Sequence, residues 1–263
     1  MSTDNYAIPA GGEVWNKFGR TTNADAGVVT DVWDGANATD DQDIWIAPTE
    51  PRIHSLVSTS ADDTNSGGSG ARSVIVFGLR AWDAPPVMER VFLAGLTPVN
   101  TQFPYVVINH IQVCNCGGTS INAGKITATA ATDSTVTAQI NANAGMTLSS
   151  VFGVGMKDAA YITAWFCSIL RPAADKNVFI QLMMNREPDL QTTGFIGLQS
   201  IGLQTDGSTS FSAGFSPYAR LAGPALIKVQ ATASGADSDV MAGYDMVVTS
   251  KPGSERMLRE IEL

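Results

Sequence analysis

The feature that most constrains this chain is a recurrence. From residue 52 to residue 250, short runs of alternating or β-branched apolar residues return at close intervals, each bounded by Gly, Pro, Asn, Asp or Ser. The runs are RIHSLVSTS (52–60), SVIVFGLRA (73–81), MERVFLAG (88–95), YVVINHIQVC (105–114), KITATAAT (125–132), TVTAQINA (135–142), TLSSVFGVG (147–155), AYITAWFCSIL (160–170), VFIQLMMNR (178–186), IGLQSIGLQ (196–204), LIKVQATAS (226–234) and YDMVVTS (244–250). Helical spacing of apolar residues is almost absent between them. The pattern predicts an all-β fold, a sandwich or a barrel; of these the expected one is a β-sandwich of jelly-roll-like type. One exception is SERMLREIEL (254–263), with Ser254 as a cap and Met257, Leu258 and Ile261 on one side. It reads either as a short docking helix or as a frayed terminus.

The stretch 124–140, GKITATAATDSTVTAQI, shows the pattern at its most regular. It predicts a hairpin turning at Asp133–Ser134, with Ile126, Ala128 and Ala130 on one face and Thr127 and Thr129 on the other. Beyond the turn, Val136, Ala138 and Ile140 alternate with Thr135, Thr137 and Gln139. Such threonines either stabilise the sheet as cross-strand pairs or form a ladder for water or a ligand.

Residues 1–50 read differently: they are small and polar, with Trp15, Phe18, Trp33 and Trp45 spaced through them. Because tryptophan needs burial, the segment is expected to be an extended N-terminal arm. Its aromatic anchors pack on its own domain or insert against neighbouring subunits. The expected organisation is an arm over 1–50, a sandwich over 51–250 and a tail over 251–263.

Only 16% of the 263 residues are charged, against roughly 25% in ordinary soluble domains, so the surface rests on Ser, Thr, Asn and Gln. The net charge of −9 argues against direct nucleic-acid binding, which needs Lys and Arg to neutralise phosphates. No apolar run is long enough for a helical membrane span, and no membrane partner is expected. MSTDNYAIPAGGEV lacks the pattern of a secretory signal, so synthesis in a cytoplasm is expected.

Chemistry leaves little trace. Cys114, Cys116 and Cys167 are too few for a disulfide scaffold, and Cys114–Asn115–Cys116 has no second pair to complete a zinc site. With His54 and His110 they read as structural strand positions; no metal and no cofactor are expected. No GxSxG, HExxH or GxxxxGK[ST] occurs, and no catalytic residue is assigned. The acids Asp31, Asp34, Asp40, Asp41, Asp43, Asp62, Asp63, Asp237 and Asp239 fall in loops and read as solvated. Glu89 and Asp245 fall in strands, facing solvent or pairing with a base such as Arg90 or Lys228. ADDTNSGGSGAR (61–72) lacks the spaced oxygens of a calcium loop and reads as a solvated hairpin connection. The best glycan-contact candidates are Trp82 and Asp83, beside Pro85–Pro86, where a ring can stack on a sugar.

Several segments in series resemble a group of β-rich virion-associated proteins of tailed bacteriophages of aquatic bacteria. They are VWNKFGRT (14–21), VWDG (32–35), IHSLVSTSADDT with GARSVIVFGL (53–79), ERVFLAGLTPVNT (89–101), NAGKITATAATDSTVTAQI (122–140), YITAWFCSI (161–169) and ATASGADSDVMAGYDMVV (231–248). The resemblance spans most of the chain but not RMLREIEL at its end. It implies a structural part of a virus particle: a capsid decoration or cement protein on the capsid exterior, with a head fibre or tail-associated glycan-binding module as the alternative. The partners then expected are the major capsid protein and copies of the chain itself, as a homo-oligomer; analogy with other viral β-sandwiches suggests a trimer.

Overall fold

The computed structural model describes residues 12–37, 40, 42–171, 177–190, 194–204, 209–235 and 238–251. Over these the chain is all-β; one 3-10 turn, Pro188–Leu190, is the helical element among the described residues. The helix expected over 254–263 lies outside them. The strands in chain order are β1 (Glu13–Ala24), β2 (Thr30–Asp31), β3 (His54–Ser58), β4 (Ala71–Leu79), β5 (Pro86–Phe92), β6 (Val99–Asn100), β7 (Val107–Cys116), β8 (Ile126–Ala130), β9 (Val136–Ile140), β10 (Phe152–Val154), β11 (Asp158–Arg171), β12 (Asn177–Asn185), β13 (Ile196–Gln204), β14 (Ser210–Ala222), β15 (Ala225–Ala233) and β16 (Ser238–Ser250).

They form two compact units, and the boundaries differ from those expected. The first unit holds the described residues up to Val32, then Ala36–Ile44, then those from Ser150 onward; the second holds Trp33–Gly35 and Trp45–Ser149. The second is thus an insertion in the sequence of the first. Residues 13–24 are not an arm: β1 pairs antiparallel with β16 from Glu13↔Val248 to Ala24↔Ser238.

In the first unit one sheet has the order β1-β16-β11-β14, and the other β10-β15-β12-β13 with β2 joined to β15. These strands pair antiparallel, and Ala26 and Ala233 add an isolated parallel bridge. Period-2 alternation builds the shared core: Ile162, Trp165 and Cys167 of β11 and Ala242, Tyr244 and Met246 of β16 meet Val178, Ile180 and Leu182 of β12 and Ile227, Val229 and Ala231 of β15. Burying each large side chain here contributes roughly 1.5–3 kcal/mol. Tyr244 is fully buried, and its hydroxyl donates to the Ser150 carbonyl at 2.8 Å, which satisfies that donor.

β1 shows why the sequence reads as an arm: its inward positions include Lys17, Gly19, Thr21 and Asn23, a face without apolar alternation. Gly243 makes room for it. A Cβ at that position would stand 2.2 Å from the Lys17 carbonyl oxygen, so a residue without one lets β1 lie against β16.

In the second unit the sheets run β6-β3-β8-β9 and β5-β4-β7 around a core that includes Leu56, Val74, Val76, Val91, Tyr105, Ile111, Ile126 and Ile140. The hairpin expected over 124–140 forms, with Ile126↔Ile140, Thr127↔Gln139 and Ala128↔Ala138 opposed. Ile126, Ala128 and Ala130 are buried on one face, as the alternation requires. Thr132 and Ser134 take the left-handed conformation at the turn, with φ of 70° and 57°. Bonds from the same unit also cover β9: Trp45 Nε1 donates to the Thr137 carbonyl at 2.7 Å, and Gln139 Nε2 to the Asp34 carbonyl at 3.0 Å. Trp33 forms an antiparallel bridge with Ser149, so the two ends of the insertion lie side by side.

Candidate functional site

The loop acids are the first departure from expectation. Asp31, Asp34 and Asp63 are buried rather than solvated, as are Asp239 and the strand residue Glu89. Asp63 accepts from Ser58 Oγ at 2.6 Å and from the backbone N–H groups of Ala71 at 2.7 Å, Ala123 at 2.8 Å and Gly124 at 2.8 Å. It knots the 61–72 loop to residues far along the chain. Glu89 neither faces solvent nor pairs with Arg90 or Lys228; it accepts from the Gln102 N–H and the Tyr105 hydroxyl, both at 2.8 Å. Asp34 accepts from Asn141 Nδ2 and the Leu148 N–H, both at 2.9 Å. Lys228 pairs instead with Asp31, Nζ to Oδ2 at 2.8 Å, and lies 4.2 Å from the Phe195 ring centroid.

Buried Asp239 pairs with half-buried Arg20 at 3.0 Å. The remaining described acids of that set lie nearer the surface: Asn16 donates to Asp245, and Asn37 donates to Asp40 at 2.8 Å. Asp62 is exposed and Asp43 half-buried, while Asp41 and Asp237 lie outside the described residues. Asp133 accepts from Arg52 and Thr49, and these bonds hold its carboxyl below the usual range. Carboxylates engaged in this way act as acceptors that close loops.

Burial pushes the His54 imidazole down to about 4, so the ring is neutral, with Nδ1 2.9 Å from the Arg52 carbonyl. His110 Nδ1 lies 3.1 Å from Thr147 Oγ1. Among the described residues, no group of three or more His, Cys, Asp or Glu side chains is placed to hold a metal ion. Cys114 and Cys116 line an open cleft of about 510 Å³ with Gln112, Ser120, Ile121 and Met146. Arg90 Nη2 lies 3.0 Å from Cys114 Sγ, and burial raises the Cys116 thiol. Cys167 sits in the first unit's core, where burial pushes its thiol up to about 12.

The aromatic contact candidates separate. Trp33 and Trp45 are buried, at 1% and 4% exposure, and neither projects for a neighbouring subunit. Trp15 and Phe18 are half-buried on β1; the Trp15 ring packs on Phe152 with centroids 5.4 Å apart. Trp82 is half-buried and Asp83 exposed, in the turn between β4 and β5. Arg80, beside them in sequence, lies 4.6 Å from the centroid of Phe103. These two glycan candidates are thus together and within reach of solvent.

The surface that sequence reasoning missed lies on β13 and β14. Leu203 is the one buried residue of β13, and Leu221 the one buried residue of β14. β13 carries no charge and β14 carries only Arg220. Ile196 and Tyr218 stand 51% and 39% exposed, and Phe179, opposite Gly202 on β12, is 47% exposed. The signal was present in the sequence as the repeat IGLQ-S-IGLQ, which has no acid or base in nine residues. Each of these strands closes one edge of its sheet. No helix among the described residues is long and apolar enough to cross a membrane. No family model matches the chain, and no curated protein matches it.

Proposed function

We propose that the protein is a noncatalytic structural component of a tailed-bacteriophage particle, a decoration or cement protein that binds the outside of the capsid shell. One observation carries the reading. Lettering β1, β10, β11, β12, β13, β14, β15 and β16 from B to I, the two sheets of the first unit run B-I-D-G and C-H-E-F. That order supports a jelly roll, an architecture found in viral capsid and lectin domains and in cupins. Fold alone does not specify a function; the low charge of the chain and its weakly buried outer strands favour assembly over chemistry. The partners are the major capsid protein and further copies of the chain, held by many modest apolar and backbone contacts. Trp33 and Trp45 stabilise the second unit from within, which leaves half-buried Trp15 and Phe18 as the aromatic contacts of the original set.

The test is copy number and position in purified particles, by quantitative mass spectrometry and electron microscopy. Copies in proportion to the capsomers, on the outer shell, support the reading. A few copies confined to the tail, in the small numbers of a closed ring, overturn it. The second reading, a glycan-binding module of a head fibre or tail, is favoured by the placement of Trp82 and Asp83 in one accessible turn. It requires that purified protein bind host-surface polysaccharide and lose that binding in Trp82→Ala.

A further inference from the structure

We propose that a second copy of this chain pairs with the free edge of β13, antiparallel and about a two-fold axis through Ser200, so that one sheet of the first unit continues from copy to copy. The inference adds a surface and a symmetry to the assembly reading; its purpose rests on that reading, but its geometry does not.

The strands that end the first unit's sheets are β1, β14 and β13, with β10 and the short, buried β2 together along one edge of β15. Exposed edges are normally blunted by charge, proline, shortness or cover, because bare N–H and C=O groups template further pairing. β1 carries Glu13, Lys17 and Arg20; β14 carries Pro217 and Arg220; β10 has three residues, all buried. β13 is nine residues long, has no charge and no proline, and among the described residues pairs only with β12, although it carries a bulge at Leu198, where its register with β12 shifts between Gly197 and Gln199. Backbone groups on such an edge select an extended strand as the occupant, by β-strand addition.

Charge and sequence identify that strand as another copy. The chain carries a net charge of −9, so two copies repel at most orientations, and a neutral strip is where that repulsion is least. The sequence of β13 is also compatible with itself. It reads IGLQ on either side of Ser200, so an antiparallel two-fold pairing sets Gln199 opposite Ile201 and Leu198 opposite Gly202. No leucine meets a leucine and no charge meets its like. Ser200 is exposed and meets its own equivalent at the axis. Such a contact is isologous and closes at two copies, in contrast to the trimer suggested by analogy.

Sedimentation velocity of the full chain over a wide concentration range tests the pairing. A reversible dimer is expected, with Ser200→Glu raising the midpoint concentration at least ~10-fold by setting two carboxylates face to face at the axis. Circular dichroism of that variant must match the parent, since Ser200 is exposed. In a Cys114→Ser, Cys116→Ser background, mild oxidation of Ser200→Cys is expected to give a covalent dimer. The same treatment of Ser66→Cys, on an exposed loop, should not. A monomer at every concentration, a dimer indifferent to Ser200→Glu, or equal crosslinking at both positions overturns the proposal. The measurements use the isolated chain, so their failure leaves the capsid reading standing. Absence of the protein from the shell leaves a measured dimer intact.

Discussion

Asp63 is the most informative residue to perturb, because its four bonds allow two substitutions to be ranked from geometry. Oδ1 accepts from the Ala71 and Ala123 N–H groups; Oδ2 accepts from the Gly124 N–H and Ser58 Oγ. Asp63 itself has no exposed surface, and Ala71 and Gly124 are buried. In Asp63→Ala all four donors lose their acceptor. Hydrogen bonds to a charged group contribute about 1.5–3 kcal/mol each, but half-buried Ala123 regains water and Ser58 can turn elsewhere. A loss of roughly 3–5 kcal/mol remains, the scale of breaking a buried charged network. Asp63→Asn is gentler: with Oδ1 retained, its amide nitrogen stands in for Oδ2. Ser58 reverses to accept, and the Gly124 N–H alone faces a donor, costing about 1–3 kcal/mol.

The assay is urea unfolding of each variant, with peptide-level hydrogen exchange over 61–72 and 120–126 reporting the knot itself. The expected order of stability is parent, then Asn, then Ala, with exchange accelerating in both peptides together. Equal losses in the two variants, or a loss below about 1 kcal/mol in Asp63→Ala, would refute the account of Asp63 as the acceptor that closes the loop.

Two further perturbations probe buried groups. Lys228→Met leaves the Asp31 carboxylate buried without its cation and is expected to destabilise the first unit by about 3–5 kcal/mol; adding Asp31→Asn should recover part of that. Thermal and urea unfolding check both, and additive losses would count against coupling. His54 is neutral when folded, with its pKa near 4 against about 6.5 unfolded, so the unfolded chain binds the extra proton in between. Stability is therefore full above about pH 6.5 and falls as pH drops toward 4, by up to ~3 kcal/mol. His54→Asn keeps a donor near the Arg52 carbonyl and should flatten that slope in unfolding curves taken across the window; an unchanged slope assigns it to other groups.

Strands were legible where one face is apolar: the alternation of β8, β11, β12, β15 and β16 is the alternation of the core. β1 and β14 escaped for different reasons. β1 turns Lys17, Thr21 and Asn23 inward, where hydrogen bonds such as that from Thr21 to the Ala36 carbonyl replace apolar contact. β14 does turn Phe211, Ala213, Phe215 and Ala219 half-buried onto the core, but on a strand rich in Ser and interrupted by Gly214 and Pro217. The insertion was invisible because β1 and β16 pair across most of the chain, and local pattern does not encode partners so distant. The buried acids were invisible for the same reason: Asp63 meets Ala123 and Gly124 some 60 residues on.

Where each unit places its polar groups separates the roles of the two. In the second unit Asp34, Asp63 and Glu89 spend their lone pairs on loops of their own unit, and the polar ribbon of β9 donates and accepts internally. In the first unit, Gln199, Ser200 and Gln204 of β13 and Ser212 and Ser216 of β14 stand exposed on edge strands, and the edge of β13 carries no charge to repel a neighbour. Under the assembly reading proposed above, the uncharged edge of β13 is where a neighbouring strand would pair. A lysine or a proline at Ser200 would guard that edge against pairing. Installing Ser200→Lys should therefore cost little in folding and act at the level of association, which separates an edge kept open for a partner from one that is merely unguarded.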